Sequence, residues 1–109
     1  MTTPKEIFEK SLPERMKAKG DDVKKVNAVY QFIINGGNGG KWWVDTTKSG
    51  GEVGSGDKAD AKCTITMSDT DFVDMVSGKL NGQMAFMTGK LKIKGDMSLA
   101  MKLGNVLGM

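Results

Sequence analysis

The apolar and polar positions of this chain fall into two periods. Over 62–67, Cys63, Ile65 and Met67 alternate with Thr64 and Thr66, the period of a strand with one dry and one wet face. The same reading predicts a strand over 26–35, with Tyr30, Phe32 and Ile34 on one face and Val29, Gln31 and Ile33 on the other. Further strands are predicted over 41–47, around Glu52 and Val53, and over 91–94, where Lys90, Lys92 and Lys94 alternate with Leu91 and Ile93. The stretch 36–40 (GGNGG) is expected to be a tight turn, because all five residues tolerate positive φ.

At both ends the pattern becomes helical. Thr3, Pro4 and Glu6 form a start signal: a cap, a first-turn proline and an acid able to reach back. Ile7, Phe8 and Leu12 face inward, and Pro13 is expected to break or kink the helix because it lacks an amide hydrogen and clashes with the preceding turn. A second short helical piece is predicted over 14–19, followed by a turn at 20–22 (GDD). In the C-terminal half, Ser68 caps a helix whose first turn carries Asp69 and Asp71, and Gly78 ends it. Asn81 and Gly89 bracket a second, shorter helix.

The last predicted helix, over 96–107, is the informative one. Ser98, Lys102 and Asn105 form one narrow polar stripe, while Met97, Leu99, Ala100, Met101, Leu103, Val106 and Leu107 occupy nearly all the rest. A helix that only covers a sheet needs a dry arc of roughly 100°, and this one offers about twice that. Something besides the sheet must cover it: a second helix, a partner chain or an apolar ligand.

Strands followed by a cluster of helices define an α+β domain. A single domain over 1–109 is expected, with all helices on the dry face of the sheet, since the other face is rich in Thr and Lys. Nine methionines against seven aromatic residues make the apolar set soft, and Met67, Met75, Met84, Met87, Met97 and Met101 concentrate in the C-terminal half. Unbranched and polarisable, methionine suits a pocket that adapts to ligands of varied shape.

Composition removes several classes of chemistry. There is no histidine and one cysteine, which excludes an internal disulfide and a His/Cys zinc cluster, and leaves Cys63 without an activating imidazole. Gly39-Gly40-Lys41 is followed by Trp42, so no phosphate-loop pattern fits. Asp69 and Asp71, two residues apart, point to different faces of a helix, and the helix dipole explains them better than a metal does. No cofactor is expected. A net charge of +3 is too small and too dispersed to indicate a nucleic-acid partner. The lysine stripe 90/92/94 reads as a solvated strand face, its functional alternative being a transient contact with an anionic membrane. With no long apolar run, no signal-peptide core and no C-terminal peroxisomal tripeptide, the expected location is cytoplasmic.

Four segments carry a resemblance: 63–72 (CTITMSDTDF), 78–81 (GKLN), 85–97 (AFMTGKLKIKGDM) and 99–103 (LAMKL). Together, and more weakly back through 42–45 (WWVD) to the N-terminal helix, they closely resemble the sterol carrier protein type 2 domain family. The resemblance implies a five-stranded mixed β-sheet with helices packed on one face and an apolar ligand tunnel between them. It implies a non-catalytic protein that binds and transfers fatty acids, fatty acyl-CoA or sterol-like lipids, or one that presents lipid to a partner enzyme. Carried onto this chain, the tunnel would be lined by Met75, Val76, Leu80, Met84, Phe86, Met87, Leu99, Leu103, Val106 and Leu107, with Ile33 and Trp42 from the sheet. Many members carry glutamine where this chain has Thr88 and Gly104, positions whose amides hold a polar ligand end.

Overall fold

The structure, a computed structural model, describes residues 3–48 and 50–107, with 105–107 as backbone only. Thr3 Oγ1 accepts the amide of Glu6 and starts α1 (Pro4–Glu6). A π-helical turn at Ile7–Ser11 leads directly into α2 (Leu12–Ala18). The expected break at Pro13 is therefore absent. Proline clashes with the carbonyl four residues back, and the widened turn before it relieves that clash without ending the helix.

A second departure follows at once. The segment expected to turn at 20–22 and then enter a strand is instead α3 (Gly20–Val26). Asp21 and Asp22 sit in its first turn, Lys24 and Lys25 in its last, and Val23 and Val26 are its buried face. This charge order complements the helix dipole at both ends. Asn27, in the left-handed conformation at φ 50°, ends the helix and releases the chain into β1 (Val29–Asn35).

The remaining elements follow the hydrophobic pattern closely: β2 (Gly40–Asp45), β3 (Glu52–Ser55), β4 (Cys63–Ser68), α4 (Asp69–Val76), α5 (Gly82–Met87), β5 (Leu91–Gly95) and α6 (Met97–Leu107). The sheet order is β3-β2-β1-β4-β5, antiparallel throughout except for the central parallel pair β1–β4. It is the expected five-stranded mixed sheet of an α+β domain. Phe32 lies beside Trp42 on one flank and Ile65 on the other, and Ile65 beside Ile93, which sets one continuous apolar row across four strands.

Helix α4 starts where predicted, with Ser68 Oγ accepting the Asp71 amide. Its first residue, Asp69, also accepts the amide of Asn38 and so holds the glycine turn against the helix. Gly36 has φ +113° there, and a Cβ at that position would collide with the Asp69 carboxylate, so glycine is required twice over. On the outer face of the sheet, buried Gln31 donates to the carbonyls of Trp42 (2.9 Å) and Gly56 (3.0 Å) and accepts the Lys58 amide. The ammonium of Lys58 lies 4.5 Å from the Trp43 ring centre, so the two adjacent tryptophans do part, one to each face. Among the described residues, no helix is long and apolar enough to cross a membrane.

Candidate functional site

The helices cover the inner face of the sheet unevenly. At one end Phe8, on the π-helical turn, stacks between Trp42 (4.7 Å, 11°) and Phe72 (5.0 Å, 4°) and meets Phe32 edge-on. At the other end α5 and α6 stand off, leaving a cavity of about 450 Å³, within the roughly 300–1,000 Å³ usual for small-molecule sites. Phe32, Ile65, Leu91 and Ile93 line it from the sheet, Met75 from α4, Gly82, Gln83, Phe86 and Met87 from α5 with Asn81 at its cap, and Met97, Ala100, Met101, Leu103 and Gly104 from α6. Four of the apolar ones are also exposed: Met87 at 73%, Met101 at 59%, Met97 at 45% and Phe86 at 38%. An apolar side chain that both lines a cavity and faces water marks its mouth.

None of these lining residues is ionisable. The polar ones are amides, and Asn81 spends its Oδ1 on the amides of Gln83 and Met84 as the cap of α5. Just beyond the cavity the Tyr30 hydroxyl donates to the Leu99 carbonyl (2.6 Å) and pins α6 to the sheet. Burial raises the pKa of Tyr30, with Cys63 and Asp96 adding to the effect, so this donor keeps its proton. Burial, reinforced by Asp96, also pushes the Cys63 thiol up to about 11. A thiol in that state is not an activated nucleophile.

Four of the residues expected in the lining meet at this cavity: Met75, Phe86, Met87 and Leu103. The others are placed elsewhere. Ile33 is on the opposite face of the sheet, where the register sets it beside Lys41 and Thr66; the strand alternation already grouped it with Gln31. Trp42 is on the inner face but belongs to the aromatic end, against Phe8. Val76 is buried, its carbonyl held by the Arg15 guanidinium, while Leu80 and Leu99 are half-buried against the core. Met84 is exposed on α5, outside the lining. The side chains of Val106 and Leu107 lie outside the described residues.

The lining residues that the sequence reading missed come from the sheet as well as from α5 and α6. Ile65, Leu91 and Ile93 were each on a predicted dry strand face, and that alternation was the signal that could have found them. Met97, Ala100 and Met101 were equally visible on the over-wide apolar arc, but only the docking of α6 decides which part of the arc meets the cavity.

A mixed sheet with helices over one face and an apolar cavity beneath the last two defines a lipid-binding type of domain, and the comparisons with known proteins agree. A model of the SCP-2 sterol transfer family matches residues 8–108. The hydroxysteroid dehydrogenase-like protein 2 of Bos taurus is 51% identical over 88 residues, which make up 80% of this chain and 21% of that protein. Among solved structures, the sterol carrier protein domain 2 of Helicoverpa armigera is 38% identical with a TM-score of 0.79, covering 94% of this chain and 86% of that one. The palmitated SCP2L2 of Aedes aegypti is 28% identical with a TM-score of 0.71, covering 91% and 93%. The chain belongs to the SCP-2 sterol transfer family. It spans only about a fifth of the length of the Bos taurus relative.

Proposed function

We propose that the cavity beneath α5 and α6 holds the apolar chain of a fatty acid, a fatty acyl-CoA or a sterol-like lipid, and that this chain carries lipid without transforming it. The observation that carries the reading is the lining itself: a site-sized cavity with no ionisable residue among its described lining and four exposed apolar side chains at its mouth. Such a lining gains from desolvating a hydrocarbon and offers no group to move a proton or attack a carbonyl. The palmitated Aedes aegypti relative supports an acyl chain as the first ligand to try. Burying about ten methylenes at roughly 0.8 kcal/mol each gives ~8 kcal/mol before the cost of ordering the chain is subtracted, which sets about micromolar as the tightest binding from this term.

Titration of a fluorescent fatty acid, read by energy transfer from Trp42 and Trp43, tests this. The reading expects saturable transfer at or below tens of micromolar; its absence over that range contradicts it. A second reading is favoured by the dehydrogenase-like relative, of which this chain matches a fifth: the domain presents its lipid to an enzyme partner or an attached enzyme domain. Turnover of an acyl-CoA by this chain alone would contradict both readings. Lys90, Lys92 and Lys94 are all exposed and offer a surface for transient contact with an anionic membrane during loading. Loading from anionic vesicles that is faster than from neutral ones, and slowed by salt, would support that contact.

A further inference from the structure

The methionines divide into two populations. Met16, Met67 and Met75 are almost completely buried, whereas Met84, Met87, Met97 and Met101 are among the most exposed large apolar side chains of the described residues. Exposing four thioethers, three of them around one cavity, is not what core filling produces. Three of them, Met87, Met97 and Met101, belong to the cavity lining, and Met84 lies one turn from Met87 on the same short helix.

We propose that this exposed methionine rim is a sulfoxidation site through which a peroxide weakens acyl-chain binding. The inference rests on the acyl-chain reading above. In the step itself the thioether sulfur attacks one oxygen of hydrogen peroxide. The S–O bond forms as the O–O bond breaks, and the departing oxygen keeps its hydrogen and takes up the other to leave as water. Sulfur is oxidised by two electrons and the peroxide is reduced by two. The product replaces a soft apolar atom with a strong hydrogen-bond acceptor that must stay hydrated. Placed at the cavity mouth, that acceptor keeps water where the acyl chain has to pass. Cys63, the usual competitor for peroxide, is 1% exposed, and its thiol is held protonated, so the rim reacts first.

The test treats the folded chain with hydrogen peroxide, maps oxygen addition residue by residue by mass spectrometry, and titrates palmitate before and after. Met84, Met87, Met97 and Met101 should gain oxygen well before Met16, Met67 and Met75. The dissociation constant for palmitate should rise roughly tenfold with the thermal transition retained, and the methionine sulfoxide reductases should reverse the change. A variant with all four rim positions changed to Leu, whatever its own starting affinity, should show no further loss on treatment. Oxidation that spares the rim, an unchanged constant after full rim oxidation, or an equal loss in the Leu variant would each overturn the proposal. If untreated protein does not bind palmitate, the acyl-chain reading fails and the switch fails with it; if it binds but does not respond to rim oxidation, the switch alone fails.

Discussion

One sheet face supports two different ends. At the first, Phe8, Phe72, Trp42 and Phe32 form a tight aromatic cluster sealed by the N-terminal helices. At the second, methionines and Phe86 from two helices stand over Ile65, Leu91 and Ile93 with about 450 Å³ between them. Phe32 is common to both, an aromatic contact on one side and cavity wall on the other. The contrast is one of residue type as much as position. Rigid rings with few rotamers fill space completely, while methionine, with three rotatable bonds, tolerates an emptied or variably filled space. The first end is packed by aromatic rings, and the second leaves the space that the proposed lipid would fill.

Breaking the aromatic end should have the largest effect. Phe8→Ala removes the ring sandwiched between Trp42 and Phe72, and should cost about 3–5 kcal/mol in chemical denaturation. If the two ends are independent, the molecules that remain folded should bind a fatty acid as before. Thr46→Val should come next. The buried hydroxyl donates to the Ala28 carbonyl (2.8 Å) and accepts the Ala28 amide (2.9 Å), so the change strands that amide, while the carbonyl keeps the Thr46 backbone amide (2.9 Å). A loss of about 1–3 kcal/mol is expected, with no change in ligand affinity.

Tyr30→Phe probes the boundary between the ends. It removes the hydrogen bond to the Leu99 carbonyl and should cost about 1 kcal/mol. Because that bond pins α6, faster amide exchange around residues 99–103 should accompany the loss. The smallest stability effect belongs to the mouth. Met101→Lys should shift stability by no more than about 0.5 kcal/mol, since the position is mostly exposed and lysine can carry its charge into water. Yet it should weaken fatty-acid binding roughly tenfold, through a charge beside the acyl chain. A Met101→Lys variant that binds normally would place the ligand away from the mouth.

The strands and the helix caps were largely legible in the sequence, because alternation and caps are local signals. Ser68 and Asn81 cap their helices as read, and Gly78 and Gly89 end them with positive φ. What was not legible depended on competition between signals. Gly20-Asp21-Asp22 has turn chemistry, yet Val23 and Val26 three residues apart, framed by acids and then lysines, made a helix. Pro13 carries a helix-breaking rule that a single π turn evaded. The cavity was legible as an excess of apolar surface on the last helix but not as a list of residues. A helix's own periodicity says which side chains are apolar, while the angle at which it docks says which of them meet the gap. Ile33 was the avoidable error, since its strand period had already turned it to the outer face.

The methionine methyl groups offer the most direct measurement of the central claim, that the cavity beneath α5 and α6 is the lipid site. With the methyls carbon-13 labelled and assigned, palmitate is added to saturation and each methyl resonance is followed by NMR. The account predicts large shifts at Met75, Met87, Met97 and Met101, which line the cavity, and little change at Met16 and Met67, which are packed in the core. Saturable binding that leaves the four cavity methyls in place, or that shifts Met16 and Met67 instead, would contradict it.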